Sequence, residues 1–553
     1  MSARDSWVPA GDLTLEPNAL KAVTSTASVA VTAGPGSGKT EVLAQRCDYL
    51  LRTGSCPYPR RILAISAKRD ARANLAERVR GRCGSELADR LDSHTFHAFS
   101  KSLIDRFRVV LEGADALTVD YAVGKTLIPG KQIRFGDMIP LATRILEASP
   151  IALRAIRQTY SHVLLDEFQD CTSDQYRLLC VAFGGTPTVL TAVGDTKQGI
   201  MRWAGALEGI FERFRQDFGA TGFNLYINRR SGVRLRRMQN EMVKVLEPDA
   251  ALPATDLVGD EGEAVHLGFD SEVDEAAHLA DEISRWISDE NLQPSRIGVL
   301  VSKQPNLYAA DLVRELGQRG VPCRDEQSMQ DLAKEPLFNL LNDYLRVLFG
   351  DRQARAYVRL YRYLIPSDLT PAAEYRYRLE WENYISSTKQ ELGQAGSLRD
   401  QVEEAVSSFI SRIGVDFTRN LASEYRDGNY LDEVQAQCLA NINQVCGVVT
   451  TGEDLVTSLD NDQAVRIMTI HKSKGLEFHS VVMLAVERET FWGDSADEAS
   501  AFFVGISRAE KRLVLTSTSR RSRPAGVWRW DESRVAHSEF LGYLYNSKGS
   551  VPS

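Results

Sequence analysis

The run Ala33-Gly34-Pro35-Gly36-Ser37-Gly38-Lys39-Thr40 leaves a chain few ways to fold around it. Val29-Ala30-Val31 ahead of it reads as a buried strand, and Glu41-Val42-Leu43-Ala44-Gln45-Arg46 behind it reads as the start of a helix. Strand, glycine turn and helix in that order make a phosphate-binding loop. Gly34, Gly36 and Gly38, with Ser37 among them, let successive backbone N–H groups point inward at phosphates, and the helix N-terminus adds its positive end. At this spacing Lys39 is expected to reach the β- and γ-phosphates and Thr40 to ligate Mg²⁺. Ala33 stands where the strictest form of the pattern has glycine.

A second acidic element complements the loop. Val163-Leu164-Leu165 is a short apolar strand that runs into Asp166-Glu167-Phe168-Gln169-Asp170. An isolated Asp-Glu pair is normally a solvated turn. At the tip of a parallel strand beside a phosphate loop, the first carboxylate, Asp166, is expected to hold Mg²⁺, and Glu167 to orient or deprotonate the attacking water.

With 553 residues the chain is too long for one core and should divide into two to four domains. Hydrophobic residues at 43% and charged residues at 25% are ordinary for a soluble protein. No apolar stretch is long enough to span a bilayer, and Met1-Ser2-Ala3-Arg4-Asp5 lacks a signal-peptide core. Eight cysteines without Cys-x-x-Cys or His/Cys ligand spacing read as the reduced thiols of a cytoplasmic protein. A net charge of −8 excludes a global positive field, so nucleic acid would have to be bound by local patches. Three basic clusters are candidates: Lys68, Arg69, Arg72, Arg78, Arg80 and Arg82; Arg229, Arg230, Arg234, Arg236 and Arg237; and Arg520, Arg521, Arg523 and Arg529 interleaved with Trp528 and Trp530. Most such runs are solvated faces.

Taken in order, the motifs resemble those of the UvrD/Rep type of superfamily 1 DNA helicases. After the phosphate loop come Ile62-Leu63-Ala64-Ile65-Ser66-Ala67-Lys68, Ser93-His94-Thr95-Phe96-His97-Ala98-Phe99 and the Asp166–Asp170 box. They are followed by Val193-Gly194-Asp195-Thr196-Lys197-Gln198 with Arg202-Trp203-Ala204-Gly205-Ala206, and by Asn228-Arg229-Arg230-Ser231. Last come Ile467-Met468-Thr469-Ile470-His471-Lys472-Ser473-Lys474-Gly475-Leu476-Glu477-Phe478 and Phe503-Val504-Gly505-Ile506-Ser507-Arg508-Ala509. The resemblance implies that Gln198 senses the γ-phosphate, that Arg230 and Arg508 act as arginine fingers, and that Glu477 contacts the ribose. It implies DNA contacts for Thr95, His97, Thr469 and His471, and a base stacked on Trp203.

The fold implied is α/β, with two RecA-like P-loop NTPase motor domains built on parallel sheets and two short, mainly helical insertions. The first motor domain is expected at residues 1–95 and 140–221, the second at 222–350 and 450–540, with insertions at 96–139 and 351–449 and a tail at 541–553. Strands are expected near 296–301, 464–470, 480–486 and 512–516. The expected activity is that of a DNA-dependent NTPase moving 3′→5′ on single-stranded or tailed duplex DNA, using ATP with Mg²⁺. The insertions are shorter than is usual in the family. The compact plan is similar to helicase-like subunits of bacterial antiphage systems such as Gabija, and the alternative function is a DNA-gated regulatory NTPase acting with a partner nuclease in such a system, with little or no processive unwinding. The base pocket departs from the family: Ala19, Glu41 and Arg229 stand where relatives have Gln, Arg and Tyr. A carboxylate there could accept hydrogen bonds from several bases, or Glu41 and Arg229 could simply pair with each other.

Overall fold

The computed structural model describes residues 6–549 other than 12, 67, 68, 125, 200–204, 327–331, 333, 334, 367–369, 393–395, 423, 424, 426–428, 448, 450 and 460–463. Trp203 therefore lies outside the described residues, as do Lys68 and Arg202.

Strands that are apolar on both faces form the middle of two parallel sheets. The first comprises β1 (Val29–Ala33), β2 (Arg61–Ser66), β3 (Leu91–Thr95), β6 (Tyr160–Asp166), β7 (Val189–Gly194) and β8 (Thr221–Leu225), in the order β3-β2-β6-β7-β1-β8. A small parallel pair, β4 (Ala122–Gly124) and β5 (Gln132–Arg134), lies outside it. The second sheet comprises β9 (Glu263–Ser271), β10 (Ile297–Val301), β11 (Cys323–Asp325), β12 (Val465–Thr469), β13 (Phe478–Met483) and β14 (Ala509–Arg520), in the order β11-β12-β10-β13-β14-β9. Successive strand residues feed cores on opposite faces. Leu63 and Ile65 pack with the helices on one side of the first sheet, while Ile62 and Ala64 pack on the other. In the second sheet Leu300, Met468 and Met483 face one core, and Val299, Ile467 and Val482 the other.

Several boundaries differ from the sequence expectation. β8 pairs with β1 from Val29↔Thr221 to Ala33↔Leu225, so the first sheet extends past residue 221. Helix Phe96–Phe107 contributes Phe96, Phe99, Leu103 and Ile104 to the first core, and β4–β5 make the rest of that insertion more than helical. The second insertion is larger than 351–449. Helices from Pro336–Phe349 to Gly452–Leu459 share one core with Trp381, Phe409 and Cys438, separate from both sheets. Residues 541–549 are no tail: helix Ser538–Gly549 buries Phe540, Leu541 and Leu544 in the second body. All eight cysteines are free, and no helix among the described residues is long and apolar enough to cross a membrane.

Candidate functional site

β1, β6 and β7 all end on the same edge of the first sheet, and the nucleotide site is assembled from the residues just beyond those strand ends. The turn after β1 uses Gly36 (φ +67°) and Gly38 (φ +84°) in the left-handed region, and Gly38 caps helix Lys39–Arg52. Ser37 Oγ donates to Gly34 O at 2.7 Å, and Lys39 Nζ donates to Ala33 O and Gly34 O at 3.3 Å each. Burial pushes the Lys39 ammonium down, while Asp195 and Glu167 pull it back up. Thr40 comes next, in the first helical turn.

β6 delivers Asp166 in register with Ser66 of β2, and Glu167 then turns the chain with φ 51°. A left-handed glutamate is a sparsely populated conformation, of the kind that concentrates at functional sites. Gln169 holds it: Gln169 Nε2 donates to Glu167 Oε2 at 2.6 Å, and Gln169 Oε1 accepts from Asp195 N at 2.9 Å. A Cβ at Gly194 would collide with that same Gln169 oxygen, which explains glycine there. The two acids are electrostatically unlike. Burial and the neighbouring Glu167 charge push Asp166 up, to about 7. Burial works the same way on Glu167, but Lys39 and Lys474 outweigh it and hold Glu167 low.

For Mg²⁺ the donor set is suitable. Asp166 is buried, has no ion-pair partner among the described residues, and accepts only the Glu167 N–H at 3.0 Å. A carboxylate destabilised by burial in this way favours a hard cation with oxygen ligands, and Thr40 offers a second oxygen. No cluster of three or more His, Cys, Asp or Glu ligands occurs among the described residues.

The second body reaches into this site. Arg508, buried at the end of helix Ser495–Ile506, donates from Nη2 to Gln198 Oε1 at 2.8 Å, while its Nε is fixed by Val504 O at 2.9 Å. Burial first, then the Arg230 charge, pulls its guanidinium down to about 9. No carboxylate pairs with it among the described residues, so it fits an anionic phosphate. Gln198 is itself anchored, donating from Nε2 to Asp195 Oδ2 at 2.8 Å. Arg230 donates to Ser507 O at 3.1 Å and is ion-paired with Glu477. Glu477 thus meets an arginine finger in this structure. Lys474 donates to both Asp170 oxygens at 2.8 Å and to Gln198 O at 2.7 Å. Asp170, Gln169, Asp195 and Lys474 carried no role in the sequence reading, although all stand inside the motifs.

Around the base pocket, the alternative in which Glu41 pairs with Arg229 does not occur. Arg82 grips Glu41 with Nε at 2.9 Å and Nη2 at 3.1 Å, and Gln45 donates at 2.9 Å. Despite burial, these partners hold the Glu41 carboxyl below the usual range. Arg229 donates instead to Thr14 O at 3.1 Å, and its backbone N–H donates to Gly36 O at 2.9 Å. Asn18 donates to Asn224 O, and Ala19 is buried in the core.

The DNA-contact candidates also stand at strand ends. Thr95 ends β3 and caps the next helix, accepting from Ala98 N at 3.2 Å. His97 stacks on Phe135 with ring centroids 4.0 Å apart, and burial lowers its pKa. Thr469 ends β12, and His471 lies two residues on, also lowered by burial. Among the basic clusters, Arg78 and Arg82 serve Glu41. Arg521 is buried between Glu275 and Glu487, so it is no surface contact.

The sequence matches the UvrD/REP helicase N-terminal domain over residues 15–121 and 113–219, and the UvrD-like helicase C-terminal domain over residues 418–520. It is 23% identical to the ATP-dependent DNA helicase PcrA of Bacillus subtilis, over 89% of this chain and 80% of that protein. It is 23% identical to the ATP-dependent DNA helicase Rep of Escherichia coli, over 91% of this chain and 90% of that one. For DNA helicase II of Haemophilus influenzae the figure is 24%, and the chain spans 62% of that protein's length. Two parallel sheets facing one phosphate loop, arginines delivered from the second body, and matches to both domain types place this chain in the UvrD-like family of ATP-dependent DNA helicases.

Proposed function

We propose that the chain is a single-stranded DNA motor moving 3′→5′, with nucleotide binding and release in the cleft driving the step. The observation that supports this most directly is the pair of second-body cations, Arg508 and Lys474, bonded to Gln198 and Asp170 of the first body. Gln198 lies in the segment that continues toward Trp203, so a change at the phosphates is carried toward the strand. Lys39 and the loop N–H groups bind the phosphates, Glu167 takes the proton of the attacking water, and Arg508 with Arg230 stabilises charge developing on the γ-phosphoryl group. Mg²⁺, held by Thr40 and Asp166, would neutralise phosphate charge when bound. Thr95, His97, Thr469 and His471 line the path of the strand at the ends of β3 and β12. A duplex with a 3′ single-stranded tail is expected to be unwound, or cleared of a bound roadblock, and one with a 5′ tail is not. Preference for the 5′ tail overturns the polarity.

The second reading is a DNA-gated regulatory NTPase working with a partner nuclease. It is favoured by the small size of the first insertion, where β4–β5 and short helical turns stand between helices Phe96–Phe107 and Met138–Ala148. Hydrolysis stimulated by DNA, with neither tail supporting displacement, selects it.

We infer that the nucleobase is only weakly selected. Glu41 is saturated by Arg82, Arg78 and Gln45, Asn18 is engaged elsewhere, and Ala19 offers no amide. Only shape and the flat face of Arg229 remain to recognise the ring. The expected kcat/KM for ATP exceeds that for GTP or CTP by less than roughly 100-fold, about 2.7 kcal/mol of discrimination. A larger preference in a steady-state comparison refutes weak selection.

A further inference from the structure

Trp492 is 67% exposed, although tryptophan is normally mostly buried. It is held in a definite position. Lys303 Nζ lies 3.8 Å from the ring centroid, and donates to Trp492 O at 2.5 Å and to Glu498 Oε1 at 2.9 Å. Lys303 lies two residues beyond β10, and His471 two residues beyond β12. Val301 and Thr469, the last residues of these strands, are register partners, so Lys303 and His471 leave the sheet side by side. The charges of Lys303 and Glu498 both act on His471. Trp492 therefore stands, pinned and open, beside the C-terminal strand ends that carry Thr469 and His471.

We propose that Trp492 is a stacking platform for one unpaired base of single-stranded DNA, with Lys303 as the brace that fixes its ring. The proposal rests on reading the Thr469–His471 edge as the strand's path. The charge around it favours a base over a phosphate. Asp494 caps helix Ser495–Ile506 by accepting from Ala496 N and Asp497 N, and Asp497 and Glu498 occupy its first turn. This acidic rim repels a phosphate, and Lys303 is already neutralised by Glu498. An aromatic face attracts any base irrespective of its identity.

The test is the affinity of the full chain for a fluorescent oligothymidylate, and for the same strand with an abasic run, measured by anisotropy. Trp492→Ala is expected to weaken binding of the base-bearing strand by roughly 5- to 150-fold, the range for loss of one stacked base. Trp492→Phe keeps a ring and should lose far less, and the abasic strand should bind all three proteins alike. Equal affinity of Trp492→Ala and the unaltered protein for oligothymidylate overturns the platform, as a docking face for another protein would predict. Equal loss on the abasic strand also overturns it, because the effect is then structural. An unaltered protein that binds neither strand overturns the reading of the edge itself and the platform with it.

Discussion

Arg508→Ala is expected to lower kcat by roughly 10³-fold or more while nucleotide affinity changes far less. Arg508 is buried with no carboxylate among its described partners, and its Nη2 is spent on Gln198 Oε1. Its charge is thus desolvated in advance and directed at the place where negative charge grows, which is where such a group contributes most. Arg230→Ala should behave likewise but less severely, because Arg230 is already partnered by the half-exposed Glu477. Pre-steady-state hydrolysis with separately measured nucleotide affinity checks both. Loss of binding with kcat intact would place the cleft elsewhere.

Glu167→Gln is expected to abolish hydrolysis and leave nucleotide binding in place, whereas Lys39→Ala should abolish hydrolysis and weaken binding. The difference comes from their surroundings. Glu167 is kept ionised by Lys39 and Lys474 and oriented by Gln169, so the glutamine variant fills the same space without a proton acceptor. Lys39 is the cation seated within the phosphate loop itself. Turnover at the unaltered rate in either variant refutes the assignment.

Much of this site was legible because its parts are local. β1 and β6 announce themselves as short runs apolar on both faces, and the candidate phosphate loop and acidic pair stand just after them. Pairings across long distances were not legible. Lys474 and Asp170 are 304 positions apart, and neither sequence neighbourhood signals an ion pair. The partners of Glu41 were hidden for the same reason: Arg78 and Arg82 come from the neighbouring helix, not from the motif that usually faces it. The boundary expected at 221/222 cut through β8 because the short run Thr221-Gly222-Phe223-Asn224-Leu225 does not say which sheet it joins, and only its pairing with β1 assigns it to the first. The helical insertion was drawn too small because the amphipathic pattern of Pro336–Phe349 does not reveal which core it joins.

At Gly36 the two motor bodies approach backbone to backbone. Its carbonyl accepts from Arg229 N–H, and an added Cβ would overlap both Asn228 Oδ1 and Arg230 Cβ. In this arrangement nothing larger than the glycine hydrogen fits between the loop and the Asn228–Arg230 turn. Any side chain at this position is a wedge that presses on Asn228 and on Arg230 itself, holding that finger back from the phosphates. A glycine that the phosphate loop already needs for its left-handed turn also fixes how near the Asn228–Arg230 turn can lie.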